Sequence, residues 1–141
     1  MPHEDDPRLT PARPDLAAIH LSGRVQADRY AAAQRMRVVA PCADLRARPD
    51  PSAGLETQAL FGEPVAVYER KDGWAWVQLL KDRYVGYVRE ETLGPPGLCP
   101  AHRVSAVRAP LFSRADLKSP ILALLPMNAL IVIAETVGRY C

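Results

Sequence analysis

The chain has 141 residues, of which 48% are hydrophobic and 24% charged, with 14 prolines, 8 glycines and a formal net charge of +2. That is the composition of one ordinary globular domain, or two very small ones rich in turns, and not of a disordered segment. The arginines are interleaved with acidic residues at a pI near 8.5, so the concentrated basic face of a nucleic-acid binder is missing. No apolar run approaches the ~20 residues needed to cross a bilayer.

The opening Met1-Pro2-His3-Glu4-Asp5-Asp6 is acidic and polar, unlike the basic start and apolar core of a secretory signal. Cys42, Cys99 and Cys141 form an odd set without paired spacing. A cytoplasmic protein with reduced thiols is the expectation. Residues 1–37 read as a partly helical lead-in. Pro14 to Leu21 places apolar residues at helical spacing with Gly23 to stop them, and Arg29 to Gln34 is a second, Ala-rich piece. Both are too short to be stable alone and must dock on something.

From Met36 the period changes to that of strands. Met36 to Ala40 ends at Pro41, and Ala43 to Arg46 is a short extended piece followed by a Pro-, Asp- and Ser-rich loop through Gly54. Thr57 to Phe61 reaches a turn at Gly62, and Pro64 to Glu69 sets Val65 and Val67 on one face. Lys71-Asp72-Gly73 carries the signature of a hairpin turn. Trp74 to Leu79 then divides into an aromatic face, Trp74 and Trp76, and an aliphatic face, Ala75, Val77 and Leu79. After a turn at Lys81-Asp82, Arg83 to Val88 forms the last long strand before Thr92-Leu93. Short strands at turn spacing predict a mainly β fold, a small barrel over 38–93.

Gly94-Pro95-Pro96-Gly97 opens a linker, 94–101. Residues 102–141 then repeat what came before, with Ala109 to Asp116 echoing Ala43 to Asp50, and Leu125, Val132 and Gly138 matching Leu60, Val67 and Gly73 at an offset of about 65. Nothing matches Trp76 to Leu93. The second unit is thus expected to be an incomplete copy whose open edge carries Leu124, Leu130, Ile131 and Ile133. Either the chain is truncated or another chain completes the half-barrel.

Four motifs in order carry a family resemblance. Ala43-Asp44-Leu45-Arg46, Leu60-Phe61-Gly62-Glu63, Asp72-Gly73-Trp74-Ala75 and Tyr84-Val85-Gly86-Tyr87-Val88 resemble the first bacterial SH3 domain of NlpC-type cysteine peptidases. The group is the dipeptidyl-peptidase VI, or γ-D-glutamyl-L-diamino acid endopeptidase, type. Arg8 to Ala12 and Val25 to Tyr30 are similar to the start of such proteins. The resemblance implies SH3 modules joined to a papain-like domain that cuts murein-derived peptides with a Cys nucleophile and His partners. The Asp-Cys-Ser-Gly-like context of that nucleophile does not occur among the 141 residues. Expected partners are accordingly the papain-like catalytic domain or a murein-derived peptide.

The residues present offer little chemistry of their own. Cys42 lies at a strand end, and Cys99 with His102 makes two ligands where zinc takes three or four. His3 and His20 have no acidic partner at a recognisable spacing, and the adjacent pairs Asp5/Asp6 and Glu90/Glu91 point apart on an extended chain. No catalytic residue, metal site or cofactor is assigned. The cluster that suits a ligand is Trp74, Trp76, Tyr84 and Tyr87, whose rings bring contact area and polar handles. Asp72 and Glu69 stand beside them and could pair with a peptide's amino group. The sequence therefore reads as a non-catalytic targeting or substrate-positioning module of a murein-peptide cysteine peptidase, on a truncated chain. The alternatives are the N-terminal part of an active NlpC-type endopeptidase, or an interaction protein completed by strand addition from a partner.

Overall fold

A computed structural model describes residues 6–141. His3 and Asp5, weighed above for chemistry, lie outside the described residues.

The strands are β1 (Leu16–Ala18), β2 (Arg29–Ala31), β3 (Gln34–Val38), β4 (Cys42–Arg46), β5 (Leu55–Leu60), β6 (Pro64–Lys71), β7 (Trp74–Leu79), β8 (Val85–Arg89) and β9 (Leu93–Gly94). Strands β10 (His102–Arg103), β11 (Arg108–Phe112), β12 (Ile121–Pro126) and β13 (Leu130–Ile131) follow. Seven of them form one sheet in the order β5-β4-β8-β7-β6-β3-β9.

The ladder does not close on itself, yet the sheet encloses a single interior. Val38, Leu45, Ala59, Val65, Val77, Val88 and Leu93, one from each of the seven strands, belong to one buried cluster. The fold is SH3-like: short antiparallel strands curled around an aliphatic core. Alternation along β7 is realised as the pattern requires, with Ala75, Val77 and Leu79 in that cluster and Trp76 on the opposite face. The β6–β7 hairpin turns where Asp72-Gly73 predicts. Both residues adopt positive φ, 52° and 78°, the backbone of a tight turn that matches the twist of its strands.

The lead-in differs from its helical expectation. Leu16–Ala18 and Arg29–Ala31 are strands paired in parallel, and only Ile19–Leu21 takes a helical form, as a single 3-10 turn. The Ala-rich piece likewise runs into β3, which pairs with β6 from Gln34 onward. Tertiary contacts outweigh weak helix propensity here. Leu16, Ala17 and Ala18 are buried in a row, so the segment is covered on both faces and its apolar spacing carries no helical meaning.

The second half reproduces the first in register. Met36 faces Val65 and Arg37 faces Pro64, while 66 residues on His102 faces Ile131 and Arg103 faces Leu130. Ala43 faces Ala59 as Ala109 faces Leu125, and the register slips between Leu45/Arg46 and again between Leu111/Phe112. The turns match too: Gly62 N–H donates to Val38 O as Asn128 N–H does to Val104 O. Both turn residues have positive φ, 85° and 71°. The offset is 66 throughout, as in the echo of Ala43 to Asp50 by Ala109 to Asp116, so Leu125, Val132 and Gly138 take the places of Ala59, Ala66 and Asp72 and not of Leu60, Val67 and Gly73. The copies are joined at Phe61, whose carbonyl accepts the Leu130 N–H at 2.8 Å.

Candidate functional site

Strand β7 is buried along its whole length. Its inner face faces the core, and its outer face is covered by the lead-in. Gln78 anchors that cover, its side-chain amide donating to Leu9 O at 2.9 Å and to Arg83 O at 3.0 Å. The Val85 N–H also donates to Arg8 O at 2.7 Å. Leu16 completes a second apolar cluster with Trp76 and Val85, flanked by Ala31, Tyr68 and Tyr87.

The aromatic candidates separate into two environments. Trp76 and Tyr87 are directly opposite one another on β7 and β8, and Trp74 lies two residues up the same face. Together with Glu69 and Asp72 they line a cleft of about 550 Å³. Tyr84 is not part of it. Its half-buried ring packs against the interior cluster, since the turn before β8 puts it on the core side. Five of the six predicted site residues are thus brought together and one is diverted to packing.

What the sequence did not disclose is the occupant of that cleft. The Arg13 guanidinium lies 4.5 Å from the Trp76 ring centre and 6.0 Å from that of Tyr87. Its Nη1 donates to Tyr87 Oη at 3.0 Å, and its Nη2 to Glu69 Oε1 at 2.8 Å and Asp15 Oδ2 at 2.7 Å. Arg29 adds a longer contact to Glu69, 3.3 Å. Burial works against the charge on Arg13, but the hydrogen bonds to Asp15 and Glu69 outweigh it and hold its pKa above that of a free arginine. The same contact holds the Asp15 carboxyl below its usual range. Trp74 is covered separately, with Arg89 stacked 5.0 Å above its ring. One signal was available: a strand whose outward residues are Trp74, Trp76 and Gln78 lacks the charged face of a solvated strand.

Chemically the cleft pairs carboxylates with aromatic faces, a combination that holds a cationic or amphipathic group and orients it. Glu69 is committed to Arg13 and Arg29, whereas Asp72, at the hairpin tip, is exposed. The other groups weighed for chemistry stand apart. Burial first, then the nearby carboxylates of Asp44 and Glu63, push the Cys42 thiol up, opposite to what a thiolate nucleophile needs. Glu90 and Glu91 face different arginines, Arg70 at 3.6 Å and Arg89 at 3.9 Å, and do not share a proton site. No cluster of three or more metal-ligating side chains occurs among the described residues. Nor is any helix there long and apolar enough to cross a membrane.

Among curated proteins none matches the chain. Residues 45–93, which hold β4 from Leu45, β5 to β8 and the start of β9, match the family model of the bacterial dipeptidyl-peptidase SH3 domain. Over those residues the chain is thus similar to the bacterial dipeptidyl-peptidase SH3 domains.

Proposed function

We propose that this chain supplies a non-catalytic, substrate-positioning SH3 module of a murein-peptide cysteine peptidase of the NlpC type, working in the cytoplasm. The observation that supports it is the cleft of Trp74, Trp76, Tyr87, Glu69 and Asp72, a cationic-group holder on the rigid outer face of β7 and β8. A murein-derived peptide offers a free amino group and carboxylates. The amino group suits Asp72, exposed at the hairpin tip, and the exposed guanidinium of Arg29 at the rim suits a carboxylate, while Arg13 holds the ring faces beneath them in place. The partner for which the module holds such a peptide is a papain-like catalytic domain, and the reacting groups belong to that domain.

The test is titration of the full chain with the tripeptide L-Ala-γ-D-Glu-diaminopimelate, read by tryptophan fluorescence and by calorimetry. Saturable binding that weakens about tenfold or more in Asp72→Asn or Trp74→Ala supports the module, since each removes one charged or stacked contact. Absence of binding to the wild-type chain, or binding indifferent to both substitutions, rejects it.

A further inference from the structure

Inside the cleft of the first copy the charges pair off, except at the hairpin. Arg13 holds Asp15 and Glu69, and Arg29 reaches the other Glu69 oxygen at 3.3 Å. Lys71 and Asp72 line the same cleft and are exposed. Neither makes an ion pair or a side-chain hydrogen bond among the described residues. Strand alternation puts Lys71 on the face of Glu69, since the register slip of β6 lies before Glu69. The base of the hairpin is fixed. Lys71 pairs with Trp74 across the turn, and Trp74 is buried beneath Arg89, 5.0 Å from its ring centre. The cleft thus presents one free ammonium and one free carboxylate on consecutive residues.

The fold does not require that pair. At the repeat offset of 66, Val137 and Gly138 stand where Lys71 and Asp72 stand in the first copy. The turn is made all the same, with Val137 and Tyr140 exchanging backbone hydrogen bonds and Gly138 at φ 60°. A hairpin tip needs residues that tolerate its backbone, not charges. Two opposite charges held side by side in a cleft, without a partner in the chain, are complementary to a ligand that carries the reverse pair.

We propose, on the substrate-positioning reading above, that Lys71 is a specificity-determining residue of this cleft. It binds a ligand carboxylate that lies one residue away from the amino group held by Asp72. Because Lys71 and Asp72 are adjacent, their charges suit an amino group and a carboxylate on adjacent residues of a peptide. An N-terminal residue followed by a γ-linked glutamate, whose α-carboxylate is free, has that spacing. Arg29 already has Glu69 as a partner, so loss of this ligand carboxylate is felt at Lys71. The ammonium is an exposed point charge, and its contribution is that of a solvated ion pair.

The experiment titrates the full chain by calorimetry with two peptides. One is L-Ala-γ-D-Glu-diaminopimelate, and the other is the same peptide with the glutamate α-carboxylate converted to its amide. Wild type, Lys71→Gln and Arg29→Gln are compared. Wild type is expected to bind the acid about fivefold more tightly than the amide, the upper end for a solvated ion pair. Lys71→Gln should bind both peptides at the level of the amide, while Arg29→Gln keeps the preference. An unchanged urea midpoint for Lys71→Gln separates a lost ligand contact from a lost fold. Three results overturn the role of Lys71 and leave the substrate-positioning reading in place: equal binding of acid and amide by wild type, a preference that survives Lys71→Gln, or one that is lost in Arg29→Gln. Absence of binding of either peptide to wild type rejects that reading and the role of Lys71 with it.

Discussion

The Arg13 guanidinium lies over Trp76, 4.5 Å from its ring centre, and donates to Glu69, joining the lead-in to the outer face of the sheet. A single side chain from a segment of little regular structure thereby satisfies two carboxylates, a phenol and an indole face. Because the group is mostly buried, its contacts are worth more than those of a surface pair. Arg13→Ala is expected to lower stability by about 1–3 kcal/mol, the range for lost cation–π and charged hydrogen bonds. Urea unfolding followed by tryptophan emission checks this. Arg13→Lys should recover only part of the loss, since an ammonium cannot span Asp15, Glu69 and Tyr87 in one plane.

The same contact makes the lead-in sensitive to acid. Asp15 has a pKa below its ordinary 3.8 because it accepts the Arg13 fork. A carboxyl depressed on folding stabilises the fold above its unfolded pKa and loses that contribution as pH falls through its folded value. Trp76 emission should therefore change as the pH drops below about 4. In Asp15→Asn that part of the change should be absent.

Leu45 and Leu111 occupy the same place in the two copies, yet one is sealed and the other open. Leu45→Ala should cost about 2–5 kcal/mol, the range for a cavity in a closed core. Leu111→Ala should cost less than about 1 kcal/mol, because water already reaches the site. Equal losses in paired denaturation curves would contradict the exposure difference.

Gly62 forms the junction between the copies. Its φ of 85° favours glycine, and a side chain there would collide with the Leu130 carbonyl oxygen. Gly62→Ala should therefore cost more than the ~1 kcal/mol of a left-handed alanine. The change should speed hydrogen exchange at Leu130, whose N–H bonds to Phe61 O. Exchange at Val77, in the middle of the sheet, should be far less affected.

The thiols should rank by environment. Cys42 is partly buried with a raised pKa, while Cys99 and Cys141 are exposed. Timed alkylation with iodoacetamide at pH 7, followed by peptide mass spectrometry, should find Cys42 modified last.

Much of the fold was legible because its signals are local. Alternation along Trp74 to Leu79, the Asp72-Gly73 turn and the punctuation at Gly62 each depend on neighbours in sequence, and each is realised in place. In the lead-in the apolar spacing is ambiguous between helix and strand over so few residues, and burial on both faces settles Leu16–Ala18 as a strand. The Trp74–Trp76–Tyr87 group could be read from strand alternation, whereas Tyr84 could not be assigned, since its direction depends on the turn at Arg83 with φ 69°.

By itself the sequence determined the strand period, the hairpins and the existence of a repeat, all set by spacing within a few residues or by plain similarity. Only the tertiary structure decided that the cleft is filled by Arg13, that the repeat runs at 66, and that Leu111 lies open where Leu45 is closed. Those depend on contacts between residues far apart in the chain, such as Arg13 with Glu69 and Phe61 with Leu130. Nothing in local spacing encodes which distant side chain will lie against a given face.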